Sequence, residues 1–184
     1  MVTMDPLVVA GILGRQFRAV PGLLLAMAAP LRKVAVSGLC GSFTHSLLML
    51  GKHQLGVLES FQPYHSLQLA LINWTGGNVH PVVPWLISYL NGSTVASFVF
   101  ARLYRHIPGN SGSMKGFISG VLGWLVMDLI FFPLLGLGPF ASQAGLGVHP
   151  ALFSLIMMLS YSIMMGLVYG LIETREGLRL AGLK

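Results

Sequence analysis

Long apolar runs separated by short polar stretches set the pattern of this chain. The clearest run, Gly116 to Gly138, is long enough to cross a ~30 Å hydrocarbon layer as a helix, and it holds one charged residue, Asp128. Three further runs, at about 34–51, 81–101 and 150–172, complete a set of four spans. Between the first two, Lys52 to Val79 mixes Glu59, Pro63, Tyr64, Trp74 and Gly76-Gly77 with too few apolar residues to cross. That stretch predicts an external loop with a short interfacial helix. The pattern gives an all-α integral membrane protein with a four-helix transmembrane domain at 34–172. Residues 1–33 read as a basic apolar interfacial segment and 173–184 as a basic interfacial tail. Ala26-Met27-Ala28 also resembles a signal-peptide cleavage site, but Pro21 and Pro30 interrupt the apolar run before it can form a leader core.

Composition excludes a soluble fold. Hydrophobic residues make up 54% of the 184 and charged residues 9%, against roughly 25% charged in soluble domains. The net charge of +6 would suggest nucleic acid in a soluble protein. Here the basic residues flank apolar runs and act as topology signals, so no nucleic-acid partner is implied. In a four-span arrangement every Lys and Arg except Lys52 falls on one side: Arg15, Arg18, Arg32, Lys33, Arg102, Arg105, Lys115, Arg175, Arg179 and Lys184. The positive-inside rule then puts both termini in the cytoplasm. The single cysteine, Cys40, lies inside an apolar run and can form no internal disulfide.

Small residues mark helix contacts. Gly116, Gly120 and Gly123 recur at spacings of four and three, which lets another helix approach closely. Gly38 and Gly41 in the first span do the same. Ser37-Gly38-Leu39-Cys40-Gly41 matches Ser119-Gly120-Val121-Leu122-Gly123, and His80-Pro81 opening the second span matches His149-Pro150 opening the fourth. Leu86, Ile87, Leu90, Ser93 and Val99 align without gaps on Leu155, Ile156, Leu159, Ser162 and Val168. This reads as a parallel duplication of a helical hairpin, with chance likeness of apolar helices as the alternative. A duplication would bring the two Gly-rich helices together near its axis.

Asp128 is the residue that composition does least to explain. A carboxylate at mid-span must face a bundle interior, a partner or water. His45 lies on the small-residue face of the first span, four residues after Gly41, and at similar depth. An Asp128–His45 pair is therefore expected, with Thr44, Ser46 or Tyr161 as other partners for the carboxyl. Its roles divide between a structural hydrogen bond and a proton, quinone or metal function. His45, His53, His65, His80 and His149 all fall on the outer side, and imidazole ligates transition metals and haem iron. His45, His53, His80 and His149 form the candidate ligand set for haem or a metal, although HxxxH and HxxE spacings are lacking and the two His-Pro pairs suit helix caps. Met157, Met158, Met164 and Met165, with Met49, read as packing surface or as soft ligands for copper. No Walker, HExxH, GxSxG or CxxC motif is present to support catalysis.

The run Pro84-Trp85-Leu86-Ile87-Ser88-Tyr89-Leu90-Asn91-Gly92, then Phe100-Ala101-Arg102-Leu103-Tyr104, Ile107-Pro108-Gly109 and Gly116 to Phe140, resembles a group of small bacterial inner-membrane proteins catalogued as a domain of unknown function. That resemblance implies a four-helix fold and a bacterial setting, and carries no activity. The expectation is a non-catalytic assembly or accessory subunit, working with the lipid bilayer and with other membrane subunits or itself. Its alternatives are a haem- or metal-binding redox protein and a small transporter or channel. Topology is testable first: a cysteine placed at Asn110 should react from the cytoplasmic side of the membrane, and labelling from outside would reverse the orientation.

Overall fold

A computed structural model describes residues 31–182. Residues 1–30, which carry most of the expected N-terminal interfacial segment, lie outside the described residues. Five helices are described here: α1 Leu31–Gln54, α2 Pro63–Thr75, α3 Val82–Leu103, α4 Gly112–Leu134 and α5 His149–Leu180. All but α2 are long and apolar enough to cross a membrane, so the chain is a multi-pass membrane protein, all-helical among the described residues. Their outward faces carry Leu39, Phe43, Leu86, Leu122, Leu129 and Ile156, all exposed. Such a surface suits hydrocarbon.

The ends of the spans follow local chemistry that the apolar pattern alone does not reveal. α4 begins a turn earlier than the run at Gly116, because the Ser111 hydroxyl accepts the Met114 N–H at 3.2 Å and caps the helix. It stops at Leu134 and not at Gly138. Gly136 takes a left-handed φ of 74°, the Leu137 N–H reaches the Phe132 carbonyl at 2.9 Å and the Gly136 N–H reaches that of Pro133 at 3.0 Å. This paired closure ends a helix on a glycine. The tail is not a separate helix: α5 runs unbroken for 32 residues, about 48 Å at 1.5 Å per residue. It outruns the ~30 Å layer, so its basic last turns belong to the same rod as the span.

α5 is the element that the other three spans share. Against α4 the two backbones meet at glycines: a Cβ on Gly112 would collide with the Gly166 carbonyl oxygen, and one on Gly116 with that of Ser162. Gly120 abuts Leu159 and Ser162, each about 3.1 Å from where its Cβ would stand. Against α1 and α3, the Tyr161 ring lies in a slot between Gly41 and Gly92, and its hydroxyl donates to the Gly92 carbonyl. That carbonyl opens a π-helical turn, Gly92–Ala96, inside α3. A wider turn loosens the regular i to i+4 ladder. Here Ser93 Oγ bonds back to the Tyr89 carbonyl at 2.8 Å and Ser97 Oγ to that of Ser93 at 2.8 Å, so hydroxyls take up backbone acceptors around the turn.

Two apolar clusters close the ends of the bundle. Phe100, Ile107, Tyr161, Met165 and Tyr169 form one, with Val34 packed against it. It joins the start of α1 and the end of α3 to the middle of α5. Beside it Lys115 Nζ donates to the Tyr104 carbonyl at 2.8 Å and stands 4.3 Å from the Tyr104 ring centre. Phe61, Phe132 and Ala141 form the other, with the Phe61 and Phe132 rings edge to face at 5.7 Å.

The hairpins α1–α3 and α4–α5 use aligned residues for equivalent contacts. Gly38 meets Ser93 and Ser97 of α3, where its Cβ would stand 2.8 Å from the Ser93 carbonyl, while Gly120 meets Ser162, the residue aligned with Ser93. The expected meeting of the two glycine faces is corrected. Gly38 packs on α3, and Gly41, Gly116, Gly120 and Gly123 pack on α5. The physical reason is that Ser93, Ser97, Ser162 and Gly166 supply equally small surfaces within each hairpin. These contacts separate two substitutions. Gly116→Ala should destabilise the detergent-solubilised bundle by roughly 1–3 kcal/mol through overpacking. At Gly123 the nearest atom to a new Cβ is Met158 Sδ at 3.5 Å, so Gly123→Ala should leave the thermal midpoint near that of the parent chain.

Candidate functional site

Two polar clusters stand within the bundle, and each is assembled by helices already held at glycine contacts. The first lies between α4 and α5. From the Gly123–Met158 contact, five residues on in α4 is Asp128 and four back in the antiparallel α5 is Ser154. Asp128 is the second residue of a second π turn, Met127–Phe131, and is fully buried at 0% exposure. The Ser154 hydroxyl stands 2.9 Å from Asp128 Oδ2, 3.1 Å from Oδ1 and 2.9 Å from the Ala151 carbonyl. Trp124 Nε1–H donates to Ser154 Oγ and to the Ala151 carbonyl, both at 3.0 Å. Phe140 packs its ring 5.5 Å from that of Trp124.

A serine hydroxyl has one proton to give and lone pairs to receive with. Ser154 can therefore donate to an Asp128 carboxylate. It can equally accept from an Asp128 carboxylic acid while turning its own proton to Ala151. Either form of the carboxyl finds a partner, so the cluster meets the requirement that a buried polar group be hydrogen-bonded.

The second cluster ties α2 to the bundle. His45 Nε2 of α1 lies 3.2 Å from the Tyr64 hydroxyl, which lies 3.3 Å from Ser88 Oγ of α3. The Tyr64 ring packs on Trp85 at 4.2 Å between centres. Burial pushes the Tyr64 phenol above its ordinary value, with the Ser88 bond acting the other way. It stays a neutral phenol, able both to give and to receive a hydrogen bond.

The structure gives Asp128 and His45 different partners. The expected pair is corrected: depth along each helix was matched, but Asp128 is turned toward Ser154 of α5, while His45 reaches Tyr64 of α2 and the Met157 backbone of α5. Of the other proposed partners, Thr44 Oγ1 bonds to the Cys40 carbonyl at 3.0 Å and Tyr161 to Gly92. The metal set is corrected too. His53 is exposed, His80 Nδ1 accepts the Val82 N–H at 3.3 Å, and His149 Nδ1 pairs with the Leu146 carbonyl at 3.0 Å. The last two are thus engaged with backbone groups beside their own helix starts. Among the described residues no three His, Cys, Asp or Glu side chains gather where they could hold a metal ion. Met49, Met157 and Met165 are buried as packing residues while Met164 is exposed, so the methionines are divided between faces. Beside them Leu47, Gly51, Lys52, Phe153 and Ile156 line an open apolar groove of about 230 Å³.

Ser154, Trp124, Tyr64 and Ser88 were not foreseen as members of these clusters. Ser154 carried a signal: it precedes Tyr161 by seven residues and Ser162 by eight, which sets it on one helix face with them. The chain belongs to a family of unknown function (DUF6789), whose sequence profile matches residues 28–179. No curated protein and no solved structure matches it.

The Asp128 cluster makes a measurable claim about stability. Ser154→Ala removes the hydroxyl that serves the buried carboxyl and should cost roughly 1–3 kcal/mol. Asp128→Asn keeps a donor and an acceptor at that point and should melt close to the parent protein. Thermal unfolding in detergent compares them, and an Asn variant that melts lower than the Ala variant would contradict the hydrogen-bonding account.

Proposed function

We propose that this member of the family is a non-catalytic subunit of the bacterial inner membrane, with both termini in the cytoplasm, that works by assembling with other transmembrane helices. One observation carries the proposal. Asn91 lies near the middle of the 22-residue span Val82–Leu103 and is exposed. Among the described residues nothing hydrogen-bonds its side-chain amide. Its neighbours Ile87, Leu90 and Val95 are exposed apolar residues suited to lipid.

An amide without partners in hydrocarbon costs several kcal/mol by water-to-alkane transfer. The inner polar groups avoid this cost within the chain: Asp128 through Ser154, His45 through Tyr64, Tyr161 through Gly92. Asn91 avoids it if another helix supplies a donor and an acceptor at its depth. Polar side chains of this kind contribute roughly 1–2 kcal/mol to helix association in membranes, which is a factor of about 5 to 30 in an association constant. Among the described residues the parts outside the spans are small, α2 having 13 residues, and this supports the same proposal.

The test is native electrophoresis after extraction in a mild detergent. The parent protein should migrate as an assembly larger than one chain, and Asn91→Leu should shift it toward the single chain with an unchanged melting point. An assembly of the same size and stability in both would overturn the proposal.

A further inference from the structure

We infer that the partner covering Asn91 is a second copy of this chain, joined through α3 about a two-fold axis along the membrane normal. The inference rests on the assembly reading above and commits it to one occupant. Two identical chains inserted in the same orientation carry Asn91 at the same depth. A rotation axis along the membrane normal preserves that depth, so it brings residue 91 of one chain opposite residue 91 of the other.

The amide is its own chemical complement. Its carbonyl accepts and its NH2 donates, so two of them form a reciprocal pair of hydrogen bonds and leave neither chain with an unmet group. A helix of another protein would have to place an amide or a hydroxyl at that level independently. The nearby hydroxyls of α3 are already engaged: Ser93 and Ser97 bond back to carbonyls of their own helix, and so does Thr94 to Leu90. Asn91 is thus the amide near mid-span of α3, with its donor and its acceptor both unspent.

The backbone behind it is fixed. Gly92, the next residue, is held from inside by the Tyr161 hydroxyl at the start of the π turn, and α3 is held at Ser93 and Ser97 by the close approach of Gly38. The amide is therefore presented on a braced segment, which lowers the conformational cost of pairing. Ile87 lies four residues before Asn91 in the regular part of α3 and shares its face. Ile87, 41% exposed, supplies apolar contact beside the polar pair.

Disulfide trapping in native membranes reads this contact without removing the amide. In a Cys40→Ala background, Ile87→Cys should give an oxidant-dependent product of twice the chain mass, and a differently tagged copy should be recovered in it. Leu122→Cys, on the exposed face of α4, should give none. Adding Asn91→Leu to Ile87→Cys should reduce trapping several-fold, and adding Asn91→Gln, which keeps an amide, should restore most of it. Trapping that ignores the residue at 91, or equal trapping from Leu122→Cys, would overturn the inference. A photo-crosslinker at Ile87 separates the remaining cases. Capture of a different protein in an Asn91-dependent way overturns the self-pair and leaves the assembly reading standing. Capture of lipid alone overturns both.

Discussion

The structure depends on the contact of two backbones, where α4 and α5 meet at Gly112, Gly116, Gly166 and Gly170. In water, helices are driven together by the apolar surface they bury. Lipid is as apolar as leucine, so that force is missing and close van der Waals contact must serve. Four glycines on two facing helices provide it, because the absence of side chains lets main chain touch main chain. This approach sets the register of the antiparallel pair. Gly120 then falls on Leu159 and Ser162, and Trp124 and Asp128 arrive at Ser154. The same register turns Tyr161 away from α4, toward the slot between Gly41 and Gly92. The glycine contact therefore places the polar cluster and the Tyr161 contact together.

The second constraint is the lack of water inside the layer, which obliges each polar group to find its partner in protein. The π turns show how this is managed. One sits at Gly92–Ala96 with Tyr161 donating to its first carbonyl, and the other at Met127–Phe131 with Asp128 as its second residue. A wider turn changes the direction in which side chains leave the helix and is often found at functional positions. Each here stands where a side chain of α5 hydrogen-bonds to the turn. Ser42 departs from the rule among the described residues: its buried hydroxyl has no hydrogen-bond partner and lies against Gly92. A Cα–H contact to its oxygen would be a weak substitute of the sort seen where helices touch at glycine.

The four spans could be read from the sequence because a run of apolar residues of bilayer length has few other uses. Helix contacts were half legible. Gly38, Gly41, Gly116, Gly120 and Gly123 stood out by spacing, yet Gly112 lies before the apolar run that begins at Gly116, and Gly166 and Gly170, spaced by four in the last span, are the surface that α4 meets. The partner of Asp128 was not legible. Depth can be counted from helix ends, but the direction a side chain faces depends on register between helices, and the π turn at Met127 shifts it further. Counting gave His45 as the partner, and packing gave Ser154. The histidines misled for a related reason: their common side of the membrane is a property of topology, whereas a ligand set needs convergence within a few ångströms. His80 and His149 answer to the helix starts beside them.

Asn91 differs from all of these in the kind of information that isolates it. As a residue in a list it is unremarkable, one polar position in an apolar span beside a glycine. With Asp128, His45 and Tyr161 assigned to partners, its amide stands apart, facing outward where lipid offers neither donor nor acceptor. Exposure of a polar side chain is ordinary in water and costly in a bilayer, so the same geometric fact changes meaning with the solvent. The turn that follows Asn91 is anchored from the inside by Tyr161, and Tyr161 is seated by glycines on two other helices. An interior arranged to satisfy its own polar groups thus holds one of them steady at the surface. It is this link, running from glycine packing through the π turn to an unsatisfied amide, that makes the face of α3 an argument for assembly.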